Sequence, residues 1–231
     1  MSENIVSVVQ ARMGSNRLPN KSMLFLHGHP IIEWVLHRAS KAKNIDQLIF
    51  AIPSTPENDV LSCYLTMRGA EVYRGSESDV LSRVFCACRD LNPEYILHIC
   101  ADNPLISWTE IDNLVEYFME NKCDYAYNHF PLNNNYADGF GAAIAPFEIL
   151  KKLHDEAILP EHREHVFKFV LDQPEIFNIK TFDPPDSRLR HPELRFDLDT
   201  YKDYEYLLRL NIDIDVEPFQ VIKVSQGIDR P

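Results

Sequence analysis

Over the first 120 residues, short apolar runs alternate with stretches in which apolar residues recur at helical spacing. Short apolar runs are typical of buried strands in a parallel sheet, and the helical spacing indicates helices that pack against that sheet. The predicted strands cover residues 5–9, 48–52, 71–73 and 95–100, and the predicted helices begin near Pro30, Ser54, Ser78 and Ser107. This alternation predicts a parallel sheet with helices on both faces, joined by right-handed crossovers.

After residue 120 the pattern becomes irregular. Strands are predicted at 124–128, 139–145, 177–182 and 195–198, and helices from Pro146, over 162–172 and from Thr200 to about Leu210. No internal repeat or linker separates the two parts. We therefore predict one α/β domain over residues 1–231, with a Rossmann-like, mostly parallel sheet and an irregular, mixed second half.

The composition narrows the class of protein. Apolar residues make up 45% of the chain and aromatic residues 11%, which excludes a disordered chain. The formal net charge of −12 argues against nucleic-acid binding, although local cations can still bind an anionic substrate. We expect no signal peptide, since the first residues show neither a basic segment nor a long apolar run. The sequence contains no apolar run long enough for membrane insertion and no Cys-x-x-Cys pair among its five cysteines. We expect a soluble protein of the reducing cytoplasm.

The segment over residues 10–21 follows the first predicted strand and carries glycine, serine and three cations. Backbone N–H groups near Gly14 and Ser15 can point at phosphate oxygens, and Arg12, Arg17 and Lys21 can neutralise them. The loop is neither a Walker loop nor a Gly-x-Gly-x-x-Gly loop. Taken alone, it is a phosphate-binding loop or an ordinary solvated basic loop.

Two acidic stretches follow predicted strands. Asp102 comes directly after the strand at 95–100, at the edge of the sheet where open α/β folds bind ligands. Asp197 and Asp199 alternate, so a strand there would place both carboxylates on one face. Mg²⁺ takes such oxygen ligands together with substrate phosphates. The alternatives are a plain Asp-Asn-Pro turn at Asp102 and a helix cap at Asp199.

Two further segments carry weaker signals. Ser78, Asp79 and Arg83 begin a helix at the same edge of the sheet, where they could contact a base or ribose or simply cap that helix. His165 is either an active-site residue or a structural histidine. His98 lies inside an apolar strand and is expected to be a core residue.

These motifs together resemble the sugar cytidylyltransferases, which include the KDO and acylneuraminate enzymes, and above all their spore-coat polysaccharide branch. The matching pieces, in order, are residues 10–21 (Gln-Ala-Arg-Met-Gly-Ser-Asn-Arg-Leu-Pro-Asn-Lys), 75–83, Asp102-Asn-Pro-Leu105, Glu164-His-Val166, and Asp199-Thr200 with Asp203. The resemblance implies a GT-A-type sheet, with a nucleotide-binding half over about 1–120 and an acceptor-binding half over about 121–231. It also implies a homodimer.

The resemblance also implies roles for individual residues. Arg12, Lys21 and Asp102 would be catalytic, Asp102 and Asp199 would bind Mg²⁺ with Asp197 as a further candidate, and Asn103 and His165 are weak candidates for the acceptor. The candidate nucleotide-binding residues are Gln10, Ala11, Arg12, Gly14, Ser15, Arg17, Lys21, Ser78, Asp79 and Arg83. The chain departs from the family at Asn20 and Ala101, where glycine is frequent. In residues 138–143 it also lacks the acidic residue that spore-coat members often show shortly after this glycine, Gly139, which leaves the acceptor sugar open.

The expected reaction transfers CMP from CTP to a sugar or sugar-acid acceptor and releases pyrophosphate, for surface polysaccharide assembly. Three alternatives stay open at this point. They are a guanylyl- or thymidylyltransferase acting on a sugar phosphate, a GT-A glycosyltransferase that uses Asp197 and Asp199, and a catalytically silent binding module.

Overall fold

The computed structural model describes residues 4–228 and 230, and within them one mixed sheet has the strand order β5-β4-β1-β6-β8-β7-β9. A separate hairpin pairs β2 with β3. In chain order the strands are β1 (Ile5–Gln10), β2 (Phe25–Leu26), β3 (His29–Pro30), β4 (Gln47–Pro53), β5 (Glu71–Gly75), β6 (Tyr95–Cys100), β7 (Tyr125–Tyr127), β8 (Ala143–Pro146) and β9 (Ile179–Thr181).

Helices cover both faces of this sheet, as the sequence predicts. Their bounds are α1 (Ile31–Ala39), α2 (Asp59–Met67), α3 (Val80–Cys88), α4 (Trp108–Asn121), α5 (Phe147–Glu156), α6 (Pro160–Glu164), α7 (Lys168–Leu171), α8 (Tyr201–Arg209) and α9 (Pro218–Ser225). In the described part of the chain, none of them has the length and apolar character needed to cross a membrane.

The first four strands of the large sheet are parallel, and β1 lies in their middle. Gln10 at its end pairs with Ala51 of β4 on one side and with Cys100 of β6 on the other. The loops that follow β1 and β6 therefore begin side by side. The fold class predicted from the sequence is confirmed, and the antiparallel β8 between β6 and β7 makes the second half mixed.

Alternation along β1 divides the core between the two faces. Ile5 and Val9 pack in a cluster with residues of α1, α2 and α4, whereas Val6 and Val8 pack with residues of α3 and α5. A third buried cluster joins Trp34 of α1 to Phe196 and to residues of α8 and α9. This third cluster places residues 194–200 beside the end of the sheet.

The helix starts follow local capping chemistry with two differences from expectation. Asp79 accepts from the Ser82 N–H at 2.8 Å and caps α3, and Thr200 forms a reciprocal capping box with Asp203 at α8. The pattern Ser107-Trp-Thr-Glu110 predicts a capping box at α4. Ser107 does cap this helix, but the Glu110 carboxylate accepts from the Tyr136 hydroxyl at 2.6 Å and does not complete the box. A 3-10 turn over Pro56–Asn58 precedes α2.

The second half contains the errors of the sequence prediction. The predicted strand at 195–198 is wrong, because Arg195 makes only an isolated bridge with Asp138. The helix predicted over 162–172 is broken between α6 and α7, where His165 has an extended backbone with φ −112° and ψ 101°. Of the predicted strand 139–145, only the part from Ala143 onward pairs in the sheet.

Glycine explains why that strand begins late. Gly139 has φ +105°, and a Cβ there would lie 3.1 Å from the backbone carbon of Phe196. Positive φ is readily adopted by glycine and interrupts an extended strand. The sequence analysis also missed α9, although Glu217 and Gln220 form a capping box around Pro218 at its first position.

Candidate active site

A cleft of about 510 Å³ opens beyond the carboxyl ends of β1 and β6. This is the position at which open α/β sheets bind ligands. The structure brings ten of the predicted site residues to its wall: Gln10, Ala11, Arg12, Ser15, Arg17, Lys21, Arg83, Asp102, His165 and Asp199.

The loop over residues 10–21 is stabilised by hydrogen bonds between its own residues and by hydrogen bonds with neighbouring side chains. The Met13 N–H donates to Asn58 Oδ1 at 2.8 Å, and the Ser22 hydroxyl donates to the Arg12 carbonyl at 3.0 Å. Ser15 Oγ accepts from the Leu18 N–H at 3.3 Å, so this hydroxyl closes the loop itself. The sequence analysis missed Asn58, which is fully buried at the start of α2.

Gly14 belongs to this loop but not to the wall of the cleft. A Cβ at Gly14 would lie 2.8 Å from Glu57 Oε1, so the glycine allows the loop to approach that side chain closely. The loop conformation is thus fixed by contacts with the start of α2, and its cations are left to face the cleft.

Lys21 lies between two carboxylates that are distant in sequence. Its Nζ is 3.1 Å from Asp102 Oδ2 and 3.3 Å from Asp199 Oδ1, and it donates to the Leu198 carbonyl at 3.0 Å. One ammonium group therefore marks a point that oxygens of both aspartates reach. Because Mg²⁺ is usually held by one or two carboxylates plus substrate phosphates, this donor set fits the ion implied by the resemblance.

The two arginines of the loop are more exposed. Arg17 Nη2 pairs with Asp199 Oδ2 at 3.0 Å, and Arg12 Nη2 lies 3.5 Å from Glu164 Oε1 across the cleft. The Arg17 and Arg12 side chains are 68% and 42% exposed, so their present ion pairs are weak. Both guanidinium groups can exchange these partners for phosphate oxygens at little cost.

Contrary to the prediction from the sequence, Asp197 does not face the cleft. Its carboxylate accepts two hydrogen bonds from Arg195, at 2.6 and 3.1 Å, and lies 3.3 Å from Arg230 Nη2. It is buried, with a side chain that is 12% exposed. Asp197 and Asp199 take different partners because residues 195–198 are not a strand. We refer to residues 195–203, which carry Asp197, Asp199 and Asp203, as the acidic arm.

Asp138 is a polar residue of this region that the sequence analysis did not single out. Burial and the neighbouring Asp197 together raise its pKa to about 7, although Arg195, 3.7 Å away, opposes the shift. Its backbone also bonds to the acidic arm, since the Phe196 N–H donates to the Asp138 carbonyl at 2.9 Å. No sequence motif signals such a shift, which depends on burial by distant segments.

Arg83 and Asp79 are engaged in holding the fold. The Arg83 guanidinium is buried and donates to the carbonyls of Ala51, Ser76 and Glu77, and burial lowers its pKa to about 10. Asp79 caps α3 and pairs with Arg163 Nη2 at 2.5 Å, which ties α6 to α3. Arg83 therefore shapes the loop after β5, while Ser78 and Asp79 lie outside the wall of the cleft.

The two weak acceptor candidates differ in position. His165 lines the cleft at the break between α6 and α7. Asn103 is buried in the turn after β6, where its N–H donates to the Cys100 carbonyl at 3.2 Å, and it does not line the cleft. His98 is a core residue as expected: burial lowers its pKa to about 3.

Comparisons with known proteins show the family of this chain. The family model described as cytidylyltransferase matches residues 6–225. The Methanocaldococcus jannaschii protein MJ1063 is 32% identical over 98% of this chain and 90% of its own length. The spore coat polysaccharide biosynthesis protein SpsF of Bacillus subtilis is 26% identical over 90% of this chain and 86% of its own length.

Two solved structures are also similar. A cytidylyltransferase from Leptospira borgpetersenii superposes with a TM-score of 0.87 at 27% identity and covers 97% of this chain and 94% of its own. A CMP:2-keto-3-deoxy-manno-octonic acid synthetase complexed with CTP has a TM-score of 0.66 at 16% identity, covering 89% and 97% respectively. The second likeness concerns the fold alone.

Proposed function

This chain belongs to the cytidylyltransferase family, and from that premise we propose that its cleft transfers CMP from CTP to a hydroxyl group of a sugar acid and releases pyrophosphate. The observation that carries the proposal is the convergence of Asp102 and Asp199 on Lys21, with Arg12 and Arg17 beside them. Phosphoryl transfer depends mainly on positioning and on electrostatic stabilisation. This arrangement supplies both.

The cations of the loop have a direct task in this reaction. Arg12, Arg17 and Lys21 neutralise the triphosphate and stabilise the charge that develops on departing pyrophosphate. Gln10 and Ala11 form the floor of the cleft at the end of β1, where the nucleotide would lie. Lys21 leaves the carboxylates for the phosphates when the nucleotide binds.

Asp102 and Asp199 would hold Mg²⁺, which when bound polarises phosphate oxygens and screens the charge between CTP and acceptor. The acceptor enters from the side of the second half, where His165 lines the wall. A sugar acid is favoured as acceptor because a 3-deoxy-manno-octulosonate cytidylyltransferase of Bdellovibrio bacteriovorus is 29% identical over 56% of this chain and 52% of its own length.

The experiment measures pyrophosphate release with Mg²⁺ and CTP, GTP, UTP, ATP or dTTP, each with a panel of sugar acids and sugar phosphates. We expect release with CTP and a sugar acid. Release with GTP or dTTP and a sugar phosphate would show that the nucleotide is not CTP and that the acceptor is a sugar phosphate. Turnover of a preformed nucleotide sugar only would indicate a glycosyltransferase, and silence with no nucleotide binding would indicate a binding module.

The wider setting is also a proposal. The relation to SpsF supports a role in surface polysaccharide assembly, and a CTP-consuming enzyme of this kind would act in the cytoplasm. We retain the single domain with its nucleotide and acceptor halves, and the homodimer implied by the resemblance. Sedimentation velocity of the purified chain distinguishes dimer from monomer.

A further inference from the structure

Arg230 joins two carboxylates that flank Asp199. Its Nη2 donates to Asp203 Oδ1 at 2.6 Å and to both the backbone oxygen and Oδ1 of Asp197 at 3.3 Å. Its guanidinium also lies over the Tyr206 ring, 5.7 Å from the centroid. One side chain thus contacts the acidic arm on both sides of the proposed metal ligand.

These contacts are largely shielded from water. The side chains of Arg230, Asp203 and Asp197 are 21%, 13% and 12% exposed. Hydrogen bonds from Arg230 and Thr200 hold the pKa of Asp203 below its ordinary value even though burial acts to raise it. All three hydrogen bonds come from Nη2, so one shielded, charged nitrogen bridges Asp197 and Asp203.

The acidic arm needs such a constraint because it lacks sheet pairing. Around Asp199 its backbone is attached by the Leu198 N–H, which donates to the Asp102 carbonyl at 2.7 Å, and by the capping box at Thr200. In the described part of the chain, the Asp199 carboxylate itself forms ion pairs only with the cationic side chains of Lys21 and Arg17. These cations are the groups that the proposed reaction draws toward the phosphates.

We propose that Arg230 is a positioning residue that fixes the acidic arm so that Asp199 stays opposite Asp102 when Lys21 and Arg17 turn to the nucleotide. This inference rests on the proposed function, since it assigns Asp199 to the metal. Arg230 lies beyond residue 225, where the match to the family model ends.

The test uses Arg230→Met, which keeps a long side chain over Tyr206 but removes the guanidinium group that bridges Asp197 and Asp203. Because residues behind metal ligands typically change metal affinity 10- to 100-fold, we expect Mn²⁺ binding in the presence of CTP, measured by calorimetry, to weaken by about 10-fold. The Mg²⁺ concentration for half-maximal pyrophosphate release should rise in parallel. Saturating Mg²⁺ should restore most of the turnover, and Arg230→Lys should be intermediate.

Arg188→Met is the matched control. Arg188 also pairs with an aspartate, Asp186, and also lies over an aromatic ring, that of Phe219, but it is 63% exposed and does not contact the acidic arm. Its metal dependence should equal that of the wild type. If Arg230→Met fails to fold, Arg230→Lys carries the same prediction in weaker form.

Unchanged Mn²⁺ binding in a folded Arg230 variant would overturn the inference, as would a fall in turnover that saturating Mg²⁺ does not restore. Failure of the proposed function has a different result. In that case the wild type binds Mn²⁺ and Arg230→Met binds it more weakly, yet no nucleotide supports pyrophosphate release.

Discussion

The two aspartates that meet at Lys21 are held by opposite means. Asp102 lies on a short turn directly after β6, so the parallel sheet and its backbone hydrogen bonds fix its position. Asp199 lies on the acidic arm, which is placed by buried aromatic packing at Phe196 and by the ion pairs of Arg230 with Asp197 and Asp203. One side of the cleft is rigid scaffold and the other is an assembly of charges.

This difference has a consequence for function. A ligand on a sheet edge keeps its geometry whether or not the substrate is bound, whereas the acidic arm depends on charges that substrate phosphates and metal also attract. Substitutions on the rigid side should therefore leave the structure unchanged. The stability and position of the acidic arm should depend on pH and on bound metal.

The largest expected effect is a loss of turnover without a change in structure, and it concerns Asp102 on the rigid side of the cleft. Asp102→Asn keeps the shape of the turn but weakens the metal ligand, so turnover should fall by two to three orders of magnitude, about the loss seen when one preorganised group is removed from a transition-state site. Steady-state pyrophosphate release measures this, with thermal unfolding as the control. Near-normal turnover in a folded variant would remove Asp102 from the site.

The next effect concerns the packing that supports the second half. A Cβ at Gly141 would lie 2.2 Å from the backbone oxygen of Asn128, so Gly141→Ala should reduce the free energy of unfolding by about 3 kcal/mol through overpacking. Gly227→Ala is the matched control because nothing lies within 4 Å of its added Cβ. Urea denaturation compares the two, and equal stability would show that Asn128 can move away without cost.

A smaller effect tests the charge assembly through pH. The pKa of Asp138 is raised from 3.8 to about 7, so the folded state binds more protons than the unfolded state between these values and stability falls as pH rises. Asp138→Asn should remove this loss, which amounts to at most about 1.4 kcal/mol per pH unit. Unfolding free energies from pH 4 to 8 check it. A parallel pH dependence in variant and wild type would refute the shift.

The smallest effect concerns the competition between Lys21 and a divalent metal. Removing the ammonium group in Lys21→Met should strengthen Mn²⁺ binding without nucleotide by about fivefold, equivalent to roughly the 1 kcal/mol between unit charges 4 Å apart in water. Turnover should fall, because the triphosphate loses a cation. Lys202→Met changes the net charge equally from an exposed position on α8. Equal Mn²⁺ affinity in all three proteins would contradict the competition.

The same contrast decides how much could be predicted from sequence. Asp102 follows an apolar strand of six residues, and strand ends in parallel sheets share one edge, so its place was predictable. The acidic arm has the sequence pattern of a strand, because buried Phe196 and Leu198 alternate with Asp197 and Asp199. Its bonds instead come from Asp102 and Asp138, about 60 to 95 residues away, which no local pattern encodes.

The cations show the same limit. The residue types of the loop at 10–21 left open a phosphate site or an ordinary basic loop, and they did not predict the position of Lys21 between carboxylates 81 and 178 residues further on. Arg230 carries no motif and is found only from its contacts. Local chemistry was therefore predictable, and ion pairs between distant segments were not.

The central claim is tested most directly by identifying the product formed from CTP and a 3-deoxy-2-ulosonic acid with Mg²⁺. Phosphorus NMR of the reaction should show a new sugar phosphodiester of CMP appearing in equal amount with pyrophosphate, and Asp102→Asn should form it at least about 100-fold more slowly. Pyrophosphate with free CMP, or a CMP sugar formed at the same rate by Asp102→Asn, would contradict the account.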